Sequence, residues 1–409
     1  MIPRRVVITG VSVGCALGFT PDEFWKRLLA GECGISRVPG VTDDSPLPTK
    51  IAGVIPDTAL DAACARHGVD DPDRANRLAL FAVADALTNA GLADAGGELP
   101  HDLIFGTGHG NGAFQNASVE AYVGGGYRKL RPTSIIRAML NRPANAASIR
   151  HRLTGVSFTV SCACATGSIA VMEAFFRVRF GIAEAAVAAC ADHGIDLITF
   201  SAWNRLGVLS RNPDPATASR PFDARRDGLV MGEGCAGFVL EPLEVAQARG
   251  AHVWAEILGV GSSCDARHIV QPDKTGQAKA VRAALSMAGV APADVDYVNA
   301  HGTATEIADI VEASTIEEVF GLESDRVPVS NTKAQLGHLM GATAGVELVA
   351  TLLAMRHQRL PPCRNLEEPD PRCRLNFVRA GPQAARVEVA LKNSFAFGGT
   401  NCAIVLRRG

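Results

Sequence analysis

The feature that most limits the fold of this chain is a regular alternation of short apolar segments with longer segments of helical periodicity. Apolar runs without polar alternation are typical of strands covered on both faces. The strands predicted from these runs are Val6–Val11, Leu103–Gly106, Val156–Ser161, Ala185–Ala191, Gly234–Leu240, Val253–Val260, Tyr297–Ala300, Val327–Ser330 and Ala403–Leu406.

The segments between these runs predict helices at Arg77–Ala90, Gly167–Arg179, Thr275–Ala288 and Ala342–Met355. The last three carry apolar residues at three- and four-residue spacing, the pattern of a helix with a buried face. Strands that alternate with such helices predict an α/β fold with mainly parallel sheets. In folds of this class the chemistry lies where strands end and helices begin.

The segment Leu240–Gly250 separates the first series of elements from a second strand-rich block, so we predict two units, 1–250 and 251–409. Lys and Arg number 40 against 42 Asp and Glu, a balance that argues against nucleic-acid or membrane-surface binding. The 11 cysteines are scattered without a CxxC pair, which predicts free thiols and a cytoplasmic protein. With no apolar run of ~18 residues, no transmembrane helix is expected.

A candidate nucleophile lies in VSFTVSCACATG, where a β-branched strand meets an amphipathic helix. Cys164 stands at this junction, and both the helix dipole and the backbone N–H groups there are expected to favour its thiolate. Its small neighbours would let a substrate carbonyl approach the backbone, as an oxyanion hole requires. Cys162, by contrast, has the ordinary interpretation of a buried small residue.

Two further segments bring imidazoles to the ends of predicted strands. In YVNAHGTATEIAD, His301 enters a turn with Thr303 and Thr305, whose hydroxyls are available to a polar ligand. In VSNTKAQLGHLMGATAG, Lys333 and His338 lie five residues apart. A neighbouring lysine lowers the pKa of an imidazole, which favours a neutral ring that donates a hydrogen bond. Taken singly, each histidine is more typical of a structural role than of a catalytic one.

The last segment, LKNSFAFGGTN, predicts a strand that turns sharply and exposes backbone amides around Phe397. Together these segments, with RRVVITGVSVGCALG near the start and SRPFDARRDGLVMGEG in the middle, closely resemble the β-ketoacyl-ACP synthases of the thiolase superfamily. The resemblance covers essentially the whole chain. It implies a thiolase-like fold, a duplicated α/β unit with a five-layered αβαβα core.

The resemblance also implies roles for individual residues. Cys164 corresponds to the cysteine that takes an acyl chain from acyl-ACP, and His301 and His338 to the pair that stabilises the enolate formed when malonyl-ACP loses CO2. Lys333 and Glu312 correspond to a lysine and a buried acidic partner that orient the histidines. The amides of Cys164 and Phe397 correspond to the oxyanion hole, with Phe397 also an aromatic gate, and Thr303 and Thr305 to residues that hold the pantetheine arm.

By the same resemblance no metal or diffusible cofactor is needed, because phosphopantetheine arrives on the acyl carrier protein. The expected partners are that carrier and a second subunit, in a homodimer or in a heterodimer with a chain-length-factor-like subunit. Three alternatives are less consistent with the motifs. A non-catalytic chain-length factor would lack Cys164, a degradative thiolase would need a second cysteine where GGTN stands, and an initiating synthase would pair one histidine with Asn.

Some positions depart from the family pattern, including CACATGS, the Glu306–Ile307 pair and the segment FSAWNRLGVLSR. They leave the acyl chain and the choice between fatty-acid and type II polyketide or polyene synthesis open. In FGTGHGNG, His109 stands where the family has an aliphatic residue of the acyl tunnel. A polar group there without a partner would cost roughly 1–3 kcal/mol against methylenes and favour short or partly polar acyl groups. The alternative is a loop histidine with ordinary partners.

Overall fold

The computed structural model of the chain describes residues 3–93 and 96–409. Its strands are β1 Val6–Gly14, β2 Ile35–Arg37, β3 Ile51–Gly53, β4 His101–Gly106, β5 Ser157–Val160, β6 Ala185–Asp192, β7 Gly234–Pro242, β8 Ala255–Cys264, β9 Tyr297–Asn299, β10 Pro328–Ser330, β11 Arg359–Leu360, β12 Asn376–Phe377, β13 Gln383–Ala384, β14 Val389–Phe395 and β15 Thr400–Arg408.

The helices lie between these strands and vary widely in length. They are α1 Pro21–Leu29, α2 Asp57–Arg66, α3 Arg74–Asn89, α4 Gly112–Gly125, α5 Ser134–Ala138, α6 Arg142–His151, α7 Thr166–Arg179, α8 Leu197–Leu206, α9 Leu243–Ala248, α10 Lys274–Ala288, α11 Glu306–Phe320, α12 Lys333–Leu336 and α13 Thr343–His357. Each strand and helix predicted from the sequence overlaps one of these elements.

The main sheet has 11 strands in the order β12-β10-β9-β14-β15-β8-β1-β7-β6-β4-β5. The first strands of the two halves meet at its centre, where β1 pairs with β8 through Val6–Ile8. The expectation of mainly parallel sheets is wrong, because β1, β7, β8 and β15 pair antiparallel with their neighbours. The parallel pairs are those that β4 and β9 make with the strands beside them, together with the pair β10–β12.

The sheet contains the same strand arrangement twice. From the centre outward, the first half runs β1-β7-β6-β4-β5 and the second runs β8-β15-β14-β9-β10. In each half the first two strand pairs, counted from the centre, are antiparallel and the third pair is parallel. Thus β5 corresponds to β10, β4 to β9 and β6 to β14. This correspondence is the duplication of a thiolase-like fold.

Helices complete the layers on both sides of each half-sheet. Helix α3 packs on β1, β6 and β7, whereas α10 packs on β8 and β15 and is flanked by α11. Helices α7 and α13 lie between the halves, since α7 contacts β4, β6 and β15 while α13 contacts β7 and β14. The result is the αβαβα arrangement expected from the resemblance.

The two central helices approach each other closely where both begin. A Cβ built on Gly167 of α7 would lie 2.7 Å from the backbone nitrogen of Gly345 in α13. A Cβ on Gly345 would in turn overlap the sulfur of Cys190. Small residues are therefore required here, and they bring the N-termini of both helices to one place between the half-sheets. In the described residues no helix is long and apolar enough to cross a membrane.

Candidate active site

Cys164 lies in the tight turn that joins β5 to α7. The turn is a short 3-10 segment, Ala163–Ala165, and Ala163 has a left-handed φ of 46°, which is strained for a residue with a side chain. The Thr166 hydroxyl closes the turn by accepting from the Cys162 N–H at 2.8 Å and donating to the Ala163 carbonyl at 2.7 Å. This geometry explains the threonine in the CACATGS variant of the motif.

The thiol of Cys164 is buried, and burial raises its pKa to about 11. Lys333 and the backbone N–H groups of Phe397 and Cys164 act in the opposite direction. The expectation that the turn favours a thiolate is therefore wrong for the free protein, because removal from water outweighs these groups. The two amides are nevertheless those that the sequence assigned to an oxyanion hole, and both act on the sulfur.

His301 follows β9 and is held by two buried carboxylates. Glu312 accepts the backbone N–H groups of His301 and Gly302, each at 2.7 Å. Asp309 accepts the N–H groups of Thr303 and Ala304 at 2.8 and 3.1 Å. Both acids lie on α11, so one helix fixes the whole HGTAT turn. Burial raises the pKa of Glu312 to about 7 and that of Asp309 to about 6.

Lys333 contacts His301 rather than the histidine nearer to it in sequence. Its Nζ lies 3.3 Å from His301 Nδ1 and also donates to the His301 carbonyl oxygen. Because an ammonium group only donates, Nδ1 must accept, and we assign the ring proton to Nε2. Burial, followed by Lys333, lowers the pKa of His301 well below its usual value, so the ring is neutral.

His338 reaches the same tautomer by a different route. The Met340 N–H donates to its Nδ1 at 3.2 Å, and the Thr343 hydroxyl lies 2.8 Å from the same atom. Nδ1 is therefore an acceptor, and we assign the proton to Nε2. Burial and then Lys333 lower the pKa of His338 well below its usual value. The prediction of neutral, donating imidazoles thus agrees with the pKa directions of both histidines.

The three candidate residues converge on one cleft. Cys164 Sγ and one ring nitrogen of each of His301 and His338 all lie within 4.8 Å of one another. The cleft is also lined by Thr303 and Thr305. The two threonine hydroxyls are 2.9 Å apart. The structure therefore brings together Cys164, both histidines and both threonines, as the sequence predicted.

A metal would compete poorly for these groups. A zinc ion binds the unprotonated nitrogen of a histidine and a deprotonated thiol. Here each Nδ1 already accepts a hydrogen bond, so the nitrogen free to face the cleft carries the proton, and the thiol of Cys164 holds its own proton. The donor set thus fits hydrogen-bond donation to an anion better than it fits coordination.

The acidic partner of Lys333 is Glu347, which the sequence prediction missed. Lys333 Nζ lies 2.6 Å from Glu347 Oε1, and Lys392 Nζ lies 2.9 Å from Glu347 Oε2, with all three side chains buried. The assignment of Glu312 as that partner needs correction, because its carboxylate is used by the His301 and Gly302 amides. A single Glu within the otherwise apolar α13 was the signal available in the sequence.

Phe397 occupies the short turn between β14 and β15 and lines the cleft. The following Gly398 and Gly399 have φ values of 82° and 78°, a conformation that favours glycine and explains the Gly-Gly pair. The Phe397 ring stacks on Trp203, with ring centroids 6.1 Å apart. Trp203 also lines the cleft, and it lies in the FSAWNRLGVLSR segment that departs from the family pattern.

His109 is not among the described residues that line the cleft, and its polar atoms face partners. Trp203 Nε1 donates to His109 Nε2 at 3.0 Å, and His109 Nδ1 lies 3.3 Å from Asp192. The hypothesis of an unpartnered polar group in the acyl tunnel therefore needs correction. Burial lowers the pKa of His109, but Asp192 outweighs it and raises the pKa. We nevertheless assign a neutral ring, because the indole can only donate.

The class of enzyme follows from three features of the site. They are a cysteine in a strained turn, two neutral imidazoles with an N–H available to the cleft, and two backbone amides beside the cysteine sulfur. Such a site accepts an acyl group on sulfur and stabilises negative charge on a thioester oxygen. The duplicated thiolase-like fold places the nucleophile in one half and the histidines in the other. This is the arrangement of a condensing enzyme.

Comparison with known proteins agrees. Residues 3–246 match the family described as Beta-ketoacyl synthase, N-terminal domain, and residues 254–367 match Beta-ketoacyl synthase, C-terminal domain. The chain belongs to the beta-ketoacyl synthase family. It is a ketosynthase, a 3-oxoacyl-[acyl-carrier-protein] synthase of fatty-acid or polyketide synthesis.

Among curated relatives, the chain is 38% identical to 3-oxoacyl-[acyl-carrier-protein] synthase 2 of Rhizobium meliloti, with 99% of each chain covered. It is 35% identical to a putative mitochondrial 3-oxoacyl-[acyl-carrier-protein] synthase of Schizosaccharomyces pombe, again over 99% of each chain. Among solved structures, the ishigamide ketosynthase/chain length factor matches at 32% identity with a TM-score of 0.91 over 100% of both chains. A type II ketosynthase in complex with its acyl-carrier protein matches at 26% identity with a TM-score of 0.92, also over 100% of both chains.

Proposed function

We propose that Cys164 carries the growing acyl chain. The sulfur attacks the carbonyl carbon of an acyl thioester, and the oxygen of the tetrahedral intermediate accepts from the backbone N–H groups of Cys164 and Phe397. The bond to the pantetheine sulfur then breaks. The proton that Cys164 loses ends on the departing pantetheine thiol, so the site keeps its net charge. The raised thiol pKa supports a proton that leaves during the reaction rather than before it.

In the second half-reaction, malonyl thioester loses CO2 and its bonding electrons pass to the thioester as an enolate. His301 and His338 donate from Nε2 to the enolate oxygen. The enolate carbon then attacks the Cys164 thioester, forming the new carbon–carbon bond and releasing the Cys164 thiolate, which takes one proton from solvent. The product is a 3-oxoacyl thioester. The fixed tautomers of the two histidines support this role, because each holds an N–H ready for a developing negative charge.

One observation carries the proposal more than any other. Cys164 Sγ and the ring nitrogens of His301 and His338 lie within 4.8 Å of one another although they come from different halves of the fold. A thioester carbon bound to that sulfur and an enolate oxygen bound by both rings would be neighbours. Lys333 supports the same arrangement by fixing His301 and by keeping both rings neutral.

We propose that the substrates arrive on the phosphopantetheine arm of an acyl carrier protein and that no other cofactor takes part. Thr303 and Thr305 line the cleft with hydroxyls suited to the amides of such an arm. Arg205 is exposed on α8, in the same helix as Trp203, and is a candidate contact for an acidic carrier. Arg74 and Arg77 are poorer candidates, because both are ion-paired within the protein.

A second subunit is proposed to cover β5 and the neighbouring helices. Strand β5 lies at the end of the main sheet, with one edge unpaired among the described residues. Close to it in sequence are exposed apolar side chains, including Val123, Ile135, Ile149 and Val156. An open edge beside an apolar surface is typical of an interface. Light scattering after size-exclusion chromatography should give about twice 42.8 kDa for a homodimer, and 42.8 kDa alone if a different subunit is required.

The function is tested by incubating the protein with acyl-ACP and radiolabelled malonyl-ACP and following labelled 3-oxoacyl-ACP. The expected result is product formation with release of CO2, in the cytoplasmic, thiol-reducing conditions suited to 11 free cysteines. A chain-length factor would give no product with any acyl chain. A degradative thiolase would instead cleave 3-oxoacyl thioesters with a free thiol and would not use malonyl-ACP.

A further inference from the structure

Trp203 has contacts that none of the roles above explains. Its ring forms part of the cleft wall beside Cys164 and stacks on Phe397 with an interplanar angle of 21°. On its other side, the indole N–H donates to His109 Nε2, and the two rings meet edge to face with centroids 6.0 Å apart. One side chain therefore connects the proposed gate to a histidine outside the cleft.

His109 is itself held firmly. The buried Asp192 carboxylate faces its Nδ1 at 3.3 Å and accepts its backbone N–H at 2.9 Å. The same carboxylate accepts the Gly341 N–H at 2.7 Å, in the turn that follows His338. A Cβ on Gly194 would come within 2.8 Å of the His109 ring, so the neighbouring backbone leaves the imidazole little room to rotate. The anchor of Trp203 is thus rigid and shared with a catalytic loop.

The consequence concerns movement of Phe397. A long acyl chain bound to Cys164 needs more space than a short one, and Trp203 and Phe397 are two adjoining parts of the wall that would have to yield. Sliding one stacked ring off the other is easiest when both can move. The hydrogen bond to His109 removes that freedom from Trp203, because a moved indole would leave its N–H and the buried imidazole nitrogen without partners.

We propose that Trp203, anchored by His109, is a specificity-determining residue that holds the cleft wall closed and disfavours long acyl chains. The anchoring bond must be broken before a long chain can be accommodated, whereas a short chain leaves it intact. This inference rests on the proposed acylation of Cys164 and adds the residue pair that selects among acyl groups. His109 acts through Trp203 as a positioning residue and does not touch the chain.

The test compares Trp203→Phe and His109→Ala with the unmodified protein. His109→Ala removes the acceptor and leaves the Trp203 ring in place, whereas Trp203→Phe keeps a stacking ring but removes the indole donor together with part of the ring volume. Acylation of Cys164 is followed by mass spectrometry with butanoyl-pantetheine and dodecanoyl-pantetheine as probes. Each variant should raise the ratio of long-chain to short-chain acylation rates by about two- to tenfold, the size of one buried hydrogen bond. The double variant should not exceed Trp203→Phe, because His109 has no indole donor left to hold once Trp203 is replaced.

Trp254→Phe is the matched control. Its indole N–H donates to Asn89 at 3.0 Å, and Trp254 is not among the described residues that line the cleft, so the variant loses a similar bond without changing the cleft wall. Its chain-length ratio should not change. An unchanged ratio in Trp203→Phe, or additive effects in the double variant, would overturn the inference. Failure of Cys164 to take either probe in the unmodified protein would instead contradict the proposed function.

Discussion

The two halves of the fold have matching strands but place opposite kinds of chemistry at their ends. After β5 the chain forms the Cys164 turn and enters α7, and after the corresponding β10 it reaches Lys333 and then α13. The first position holds a neutral thiol, and the second holds a buried cation. Duplication thus supplied two equivalent places at the start of central helices, and only one of them carries a nucleophile.

The same contrast appears one strand away. His109 follows β4 and His301 follows the corresponding β9, so the two histidines occupy equivalent positions. His301 has its Nδ1 facing a lysine, which leaves its Nε2 proton free for the cleft. His109 has its Nδ1 facing an aspartate and its Nε2 engaged by Trp203. A cation orients one ring towards substrate, and an anion orients the other away from it.

The comparison shows that the role of each imidazole depends on the charge of the residue that faces its Nδ1 atom. In the second half, Lys333 and Lys392 share the single carboxylate of Glu347, so the buried cluster has an excess positive charge beside the histidines. In the first half, the buried charge nearest the thiol turn is Asp192. We expect the first half to supply covalent capture and the second half to stabilise the enolate.

The largest effect should come from removing the nucleophile of the first half. Cys164→Ala removes the only atom that we expect to bind the acyl group, so acyl mass on the protein and condensation should both disappear. Decarboxylation of malonyl-ACP should remain, because the groups of the second half are untouched. Peptide mass spectrometry after incubation with acyl-ACP checks the first point.

Cys162→Ala is the matched control for this experiment, because Cys162 lies two residues away and is only half buried. It should acylate at Cys164 as the unmodified protein does. Acyl label on Cys162 or Cys402 would contradict the assignment of the nucleophile and, with it, the division between the halves.

The second-largest effect should come from removing one histidine of the second half. His338→Ala should slow decarboxylation of malonyl-ACP by about two to three powers of ten, the usual cost of losing one oxyanion donor. Acylation of Cys164 should change far less, since backbone amides serve that step. Single-turnover acylation and CO2 release, measured separately, distinguish the two. Full-rate decarboxylation in His338→Ala would show that His338 does not stabilise the enolate and would contradict the role assigned to the second half.

These differences also show how far the sequence could predict the site. Cys164 and His301 lie within four residues of the end of a strand that could be identified from its apolar composition, and His338 follows β10 with only the short helix α12 between them. Phe397 was found in the same way, from the Gly-Gly turn after β14. Periodicity located the strand ends, whereas the roles of these residues came from the resemblance of the motifs to the family.

The sequence could not predict contacts that join distant segments. Glu347 pairs with Lys333 and Lys392, which lie on a different helix and on a strand, and nothing in the spacing reveals that a carboxylate on α13 faces them. The partner of His109 is Trp203, 94 residues away. The antiparallel strands were missed because strand direction depends on topology rather than on residue type.

A third, smaller effect tests the charge cluster of the second half. Glu347→Gln leaves two buried lysines without a counter-charge, and breaking a buried pair of this kind costs about 3–5 kcal/mol of unfolding free energy. Urea denaturation measures the loss. Glu388→Gln is the control, because its pairs with Arg386 and Arg408 are partly exposed and should contribute about 0–1 kcal/mol. Equal losses in the two variants would show that the cluster carries no special cost.

The smallest effect links the halves through the pKa of Cys164. Burial disfavours the charged thiolate and raises this pKa to about 11, whereas Lys333 acts to lower it. The rate of alkylation by iodoacetamide should therefore keep rising, about tenfold per pH unit, from neutral pH towards pH 11, because only the thiolate reacts. Lys333→Met removes the lowering influence, so the pKa should rise further and the rate at any given pH should fall. Labelling of the exposed Cys264 in the same sample provides the internal control. A rate that levels off near pH 8 would show that the turn itself stabilises the thiolate, and the nucleophile would then not depend on the charges of the second half.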